Sequence, residues 1–226
     1  MRCVCYMATR SWYDRVVPSI KSLLAHTDVD KIYLLIEDDE FPYHLPKIHP
    51  INVKHQEYLK KDSPNMLGNR WGYMTMMKAC LHRILDEDKV LAIDADTIIQ
   101  DDISELWDID LDGYYVAGVR EPEKSIGGVF EFSNVYINAG VMMMNLAELR
   151  KGRGDEIIQS LNNMHYTFLE QDCINRYCQG KILELPSTYN STKFTAPVPR
   201  AKIIHFAAQR NWFTFPLVEY YRGYVL

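Results

Sequence analysis

A chain of 226 residues, 47% apolar and 24% charged, is long enough to bury the core of one α/β domain and carries no low-complexity tract that would suggest disorder. Its formal net charge of −5 argues against broad nucleic-acid binding, while leaving room for a local basic pocket that holds a diphosphate. The five cysteines (Cys3, Cys5, Cys80, Cys173 and Cys178) are odd in number and form no Cys-x-x-Cys pair, so they read as reduced, buried thiols of a cytoplasmic protein rather than a metal or disulfide framework.

Met1 leads straight into a strand-like segment without a signal-peptide pattern, and no apolar run approaches membrane-span length. Residues 2–8 predict a buried strand. Thr9 to Tyr13 is a short polar and aromatic turn. Val16, Val17, Ile20, Leu23 and Leu24 then recur at helical spacing, with Pro18 tolerated near the helix start. Lys31 to Ile36 is a second β-branched run, closed by Glu37-Asp38-Asp39-Glu40. This strand, helix, strand order predicts parallel pairing through a right-handed crossover. Pro42, Pro46 and Pro50 make 41–52 a loop, with a short strand over 51–54. An amphipathic helix follows, in which Tyr73, Met77, Lys78, Leu81, Ile84 and Leu85 repeat at helical period before the acids at 86–88 end it.

The stretch Val90-Leu91-Ala92-Ile93-Asp94-Ala95-Asp96 organises the rest. Its apolar half predicts a buried strand, too short for a helix. The two acids fall at the C-terminal end, where open α/β sheets bind ligands. Two residues apart in extended chain, their carboxylates point the same way and can face one cation. Hard cations such as Mg²⁺ or Mn²⁺ take oxygen ligands and tend to bring phosphates with them. The alternative is an Asp-rich surface turn.

Downstream, residues 101–107 read as a short helix with an acidic first turn, and 114–119 as a strand. Residues 121–134, with Pro122, Gly127 and Gly128, form a mobile loop in this reading, and 136–145 a strand that contains Gly140. A glycine inside a strand often marks a place where a ligand approaches the backbone. Leu146 to Met164 is largely helical around Gly152 and Gly154, Glu170-Gln171-Asp172 opens another helix, 182–185 is a short strand, and 201–206 is a last strand that carries His205. The aromatic tail from Trp212 to Tyr224 packs on the domain in this reading, with contact to a membrane surface as the alternative. No internal repeat or dividing linker is present.

Asp94, Asp96 and His205 each follow an apolar strand-like run, so all three can reach one sheet edge as ligands of one cation; two carboxylates and an imidazole suit Mn²⁺ better than Ca²⁺. Lys78 and Arg210 are cations able to neutralise a diphosphate leaving group, or else solvated surface charges. Asn138 beside Gly140 can offer an amide to sugar hydroxyls. Glu170-Gln171-Asp172 could equally be ordinary helix-start chemistry. Tyr13 can stack on a base or pack in the core.

Together these segments resemble family 8 glycosyltransferases, the retaining enzymes that include glycogenin and bacterial lipopolysaccharide galactosyl- and glucosyltransferases. Four ordered pieces, spread between about Tyr6 and Trp212, carry the resemblance: Leu-Ala-Ile-Asp-Ala-Asp-Thr with Leu106-Trp107 downstream, Ile-Asn-Ala-Gly-Val-Met-Met-Met-Asn-Leu, Glu-Gln-Asp-Cys-Ile-Asn, and Ile-Ile-His-Phe-Ala. Leu185-Pro186 followed by Tyr189-Asn190 also fits the family's segment before the last strand. The resemblance implies a GT-A fold, a mixed and mostly parallel sheet between helices. It implies one catalytic domain over 1–226, with a nucleotide half over about 1–110, an acceptor half over about 111–212 and the aromatic tail 213–226. It further implies that Ala8, Thr9 and Tyr13 hold uridine, that Asp94, Asp96 and His205 bind Mn²⁺ (or Mg²⁺) and through it the diphosphate of a UDP-sugar, and that Lys78 lies near the donor phosphate and sugar. Asn138, Gly140 and Glu170 would contact the donor sugar, and Gln171 would lie by the anomeric carbon. Three departures stand out: Arg10 where many members carry Asp or Asn, Lys78 in place of Arg, and Arg210 provisionally matched to a family lysine.

The implied reaction moves a hexose to a hydroxyl of a glycan, lipopolysaccharide or protein with retention, by same-face attack, since Gln171 is a poor nucleophile. Asp96, Glu170 and Gln171 are the residues nearest the chemistry in this reading. Two rival enzymes share some features. A haloacid-dehalogenase-type phosphatase also uses strand-Asp-x-Asp, but near its N-terminus; a sugar nucleotidyltransferase needs a Gly-rich basic loop that Ala8 to Tyr13 lacks. The non-enzymatic alternative is a sugar-nucleotide-binding module without turnover.

Overall fold

The computed structural model describes residues 1–66, 72–122, 135–195 and 198–223. The loop expected over 121–134 falls outside the described residues from 123 onward, as does the tail beyond 223. Nine strands are described: β1 (Cys3–Met7), β2 (Lys31–Ile36), β3 (Ile48–Asn52), β4 (Lys89–Ile93), β5 (Thr97–Ile99), β6 (Val116–Arg120), β7 (Ile137–Asn145), β8 (Ile182–Leu185) and β9 (Ile203–His205). Seven form one sheet in the order β3-β2-β1-β4-β7-β6-β8, and β5 with β9 forms a separate ribbon. Pairing is parallel from β3 through β4 and again between β6 and β8, while β7 runs antiparallel to both β4 and β6. The expected mixed, mostly parallel sheet is therefore present, and β1 and β2 pair in parallel as predicted.

Central strands read as unbroken apolar runs because both faces of the sheet are covered. Alternate residues divide between two layers. Val4, Tyr6, Leu91, Ile93 and Met143 face α1 (Tyr13–His26), which contributes Val16, Val17, Ile20 and Leu23. On the other face, Cys5, Val90, Ala92, Met142 and Met144 meet a helical run of α2 (Tyr73–Met76), a 3₁₀ turn and α3 (Leu81–Ile84). After α4 (Leu146–Glu148), α5 (Gly154–Asn163) and α6 (Leu169–Tyr177) complete that layer with Ile157, Leu161, Cys173 and Ile174. Each of the buried Val, Leu, Ile and Met side chains among these contributes about 1.5–3 kcal/mol. All five cysteines are buried free thiols.

The aromatic tail packs on the domain as far as it is described: α7 (Pro216–Gly223) buries Val218 and Tyr221 with Ile98, Phe206 and Trp212, and the Tyr221 hydroxyl meets His26 of α1 at 2.7 Å. Among the described residues, no helix is long and apolar enough to cross a membrane.

Several sequence expectations shift. The third strand starts earlier than 51 and includes Pro50, which β3 tolerates because it is an edge strand. The helix expected over 73–85 is broken by a 3₁₀ turn at Met77–Cys80, so it does not keep one solvent face. The helix expected over 101–107 is a 3₁₀ turn, Ser104–Trp107. The last strand is shorter than 201–206 and belongs to the ribbon rather than the main sheet; its partner β5 has no separate strand signal in the sequence.

Candidate metal and donor site

Asp94 follows the last residue of β4, and the backbone turns at Ala95 and Asp96 before β5 begins. The acids are therefore not in the extended chain the sequence suggested, and His205 does not reach them along the same sheet. The ribbon delivers it instead: β5 and β9 pair antiparallel with Thr97 opposite His205, one residue beyond Asp96. The turn is tied down by Asp94 N–H to the Gly140 carbonyl (2.8 Å), Phe206 N–H to the Asp96 carbonyl (2.9 Å) and the Thr97 hydroxyl to the Asp94 carbonyl (2.9 Å). As a result one ligand atom from each of Asp94, Asp96 and His205 lies within 4.8 Å of the others. His205 Nε2 stands 3.3 Å from Asp96 Oδ1 and 3.9 Å from Asp94 Oδ2.

This donor set fits a divalent cation. Two carboxylates and one imidazole nitrogen suit Mn²⁺ or Mg²⁺, with positions left for phosphate oxygens. His205 Nδ1 lies 3.0 Å from Asn190 Oδ1, which leaves Nε2 as the ring nitrogen on the aspartate side. Burial opposes charge on His205, yet Asp96 and then Asp94 more than offset it and raise its pKa. Burial likewise opposes ionisation of Asp96, and His205 overcomes it, holding the carboxyl below the usual range.

Lys78 is not a surface cation. Its side chain is fully buried, and the ammonium donates to Asp94 Oδ1 at 2.7 Å and to the Ala139 carbonyl at 2.5 Å. Burial works against its charge, but Asp94 and then Glu170 keep its pKa above the ordinary lysine value. Arg210 is exposed in the segment after β9, away from any described ion pair or side-chain hydrogen bond.

The strand β7 and helix α6 are zipped together over the site. Asn175 exchanges hydrogen bonds with both backbone groups of Ile137, Ala139 N–H donates to Gln171 Oε1 at 2.9 Å, Gln171 Nε2 donates to the Tyr136 hydroxyl at 3.2 Å, and that hydroxyl donates to Asp172. Gln171 is thus a fixed amide with one lone pair of its oxygen already engaged. Glu170 is only 4% exposed, and among the described residues its Oε2 meets no hydrogen-bond partner. Burial, opposed by Lys78 and reinforced by Asp94, pushes its carboxyl up to about 8. Asn138 accepts from Gly140 N–H and from Asn190 Nδ2 and donates to Glu121, leaving one amide hydrogen for anything else.

At Gly140 there is no room for a side chain. A Cβ there would lie 2.1 Å from His205 Cε1 and 2.9 Å from Asn138 Oδ1, so what approaches this backbone is an imidazole. At the end of β1, Ala8 is buried and donates to the Leu35 carbonyl, while Thr9 is partly exposed and its hydroxyl pairs with Ser11. Tyr13 is 5% exposed, its ring set edge-on to Phe41, and its hydroxyl donates to Asp38 and accepts from Glu37 N–H. Its ring packs as the core alternative read from the sequence would have it, against Phe41. Arg10 completes this corner by pairing with Asp38.

Sequence reasoning missed Glu121 and the role of Asn190. Glu121 lies at the edge of a loop-like segment, and a carboxylate there gives no pattern. Asn190 was visible only as part of the Leu185-Pro186 to Tyr189-Asn190 match.

A family model described as glycosyl transferase family 8 matches residues 3–210. The probable glycosyl transferase Gly of Streptococcus gordonii is 25% identical over 233 residues, covering 93% of this chain and 32% of its own length. The chain thus spans about a third of the length of such curated relatives. Among solved structures, the galactosyltransferase LgtC in complex with donor and acceptor sugar analogues superposes with a TM-score of 0.73 at 17% identity, covering 98% of this chain and 95% of that one. The glycosyltransferase GlyE of Streptococcus pneumoniae TIGR4 gives 0.74 at 21% identity, covering 99% and 60%. The architecture shared with them is the GT-A fold.

Proposed function

The chain belongs to glycosyl transferase family 8, and from that premise we propose that it is a metal-dependent hexosyltransferase, moving a hexose from a UDP-sugar to an acceptor hydroxyl of a glycan, lipopolysaccharide or protein with retention. The observation that carries this reading is the convergence of Asp94, Asp96 and His205 at the end of a central strand. A divalent ion held there supplies charge neutralisation for a departing diphosphate. In this reading about the first 110 residues serve the nucleotide and about 111–212 the acceptor, with 213–226 as the aromatic tail.

Around the ion site, each residue has a stated task. Lys78 clamps Asp94 and adds positive charge beneath the diphosphate. Arg210, exposed, is the cation free to fold onto the donor phosphates. Ala8 and Thr9 line the nucleoside end. The remaining amide hydrogen of Asn138 and the Glu170 carboxyl with its open oxygen bind hexose hydroxyls, and Gly140 lets His205 approach the strand.

Same-face attack is favoured by what the nearby carboxyls are doing. Glu170 carries a proton at neutral pH, Asp172 is held by the Tyr136 hydroxyl and Phe168 N–H, and Glu121 by Asn138. None is a free nucleophile, and the Gln171 amide is a poor one. The acceptor then loses its proton to a leaving-phosphate oxygen as the new bond forms on the face the diphosphate leaves. A glycosyl-enzyme adduct in intact-mass spectra would overturn this route.

The test is a thermal-shift panel of UDP- and GDP-sugars with and without Mn²⁺, followed by donor hydrolysis. A Mn²⁺-dependent shift with a UDP-hexose, and hydrolysis lost in Asp96→Asn, is expected. UDP binding without hydrolysis or transfer would favour the binding module, and no nucleotide-sugar response at all would remove the reading.

A further inference from the structure

A neutral imidazole has one proton and two nitrogens, so a histidine that is to offer Nε2 to a cation must keep its proton on Nδ1. His205 faces a competitor for that proton: the Asp96 carboxylate lies 3.3 Å from Nε2, and a carboxylate is a stronger acceptor than an amide oxygen. Something must hold the ring and its proton the other way round.

The hydrogen bonds behind His205 run in one direction. Gly140 N–H, which can only donate, reaches Asn138 Oδ1 at 2.8 Å and so fixes which end of that amide is oxygen. The amide end of Asn138 then points at the carboxylate of Glu121, which is 4% exposed. Asn190, 1% exposed, can present only its NH₂ to Asn138 Oδ1, at 2.9 Å, because oxygen against oxygen would repel. Its own Oδ1 is left for His205 Nδ1 at 3.0 Å. Both lone pairs of Asn138 Oδ1 are thereby used, and in this buried site a flip would break three hydrogen bonds at Asn138 and two at Asn190.

We propose that Asn190 is a positioning residue that keeps the His205 proton on Nδ1 and the Nε2 lone pair on the aspartate side, with Asn138 and Glu121 setting the polarity of the relay that holds it. The inference rests on the proposed metal site for what the ring is held for, not for how it is held. The ring is also seated by Gly140, whose missing side chain lets the Cε1–Nδ1 edge of His205 lie against β7.

Two variants and two readouts test it. Asn190→Leu removes the acceptor at similar volume, and Asn190→Asp keeps an oxygen against Nδ1 while giving up the hydrogen bond to Asn138 Oδ1. In protein labelled with ¹⁵N-histidine and held at a pH where the ring carries a single proton, a Nδ1–H resonance and an unprotonated Nε2 assigned to His205 are expected in the metal-free wild type and in the Mg²⁺-loaded form, retained in Asn190→Asp and lost in Asn190→Leu. By calorimetry, Mn²⁺ affinity falls about 10–100-fold in Asn190→Leu and stays within a few-fold of wild type in Asn190→Asp. No Nδ1–H signal in the wild type, or wild-type affinity in Asn190→Leu, overturns the proposal. So does an equal loss of affinity in both variants that tracks their melting temperatures, which would mark Asn190 as a packing residue. A wild type that shows the Nδ1–H signal but takes up no Mn²⁺ overturns the metal reading and supports the relay.

Discussion

Glu170→Gln separates a titrating buried carboxyl from its neutral isostere. In the folded chain the Glu170 carboxyl is pushed up to about 8 from an ordinary 4.5, chiefly by burial, with Lys78 opposing and Asp94 adding to the rise. The sign follows from linkage. A carboxyl whose folded pKa is raised contributes stability that is fully present below about 4.5 and is lost as pH rises through about 8, because the unfolded chain ionises first. One pKa unit corresponds to about 1.4 kcal/mol, so between pH 5 and pH 9 the wild type should lose up to about 4 kcal/mol relative to Glu170→Gln. At roughly 2–4 °C per kcal/mol for a chain of this size, the melting temperatures of the two proteins should diverge by about 8–16 °C over that range. Thermal denaturation in the presence of a chelator, on both proteins at each pH, measures the difference and cancels every group they share. Parallel pH profiles for the two proteins would show that Glu170 ionises as readily folded as unfolded, and the account of a proton-bearing acid at neutral pH would fail.

Gly140→Ala places a methyl 2.1 Å from His205 Cε1, so urea denaturation should show a loss of about 1–3 kcal/mol, and Mn²⁺ titration a weakened site; unchanged stability would mean the ring is not packed on β7. Asp94→Asn leaves the buried Lys78 ammonium without its countercharge and should cost about 2–4 kcal/mol, with partial recovery when Lys78→Met is added. If the double variant is no more stable than Asp94→Asn, the pair is not the source of the loss. Burial pushes the thiols of Cys3 and Cys173 up to about 11 and that of Cys178 to about 12, with Cys5 and Cys80 higher still, so an aromatic disulfide reagent at pH 8 should label none of the five until the protein unfolds.

The strands at the centre of the sheet were legible because burial on both faces leaves a run such as Val90-Leu91-Ala92-Ile93 almost no room for polar residues. Parallel pairing of β1 with β2 followed from the intervening helix. The broken helix at 73–84 was not legible: Lys78 fits a helical period, and nothing local says that its charged end points inward to Asp94. Ribbon strand β5 was hidden because three residues, Thr97–Ile99, carry too little pattern to be told from a loop.

The order of four short motifs determined, from the sequence alone, the family and the residue types able to meet a cation. Only the tertiary structure decided how they meet: Asp94 and Asp96 across a turn, His205 by way of an antiparallel ribbon, Lys78 from below, and the imidazole proton through Asn190 and Asn138. The reason is that strand formation answers to local apolar periodicity, whereas the direction of a hydrogen bond and the pKa of a buried group depend on which distant residue occupies the other side of the contact.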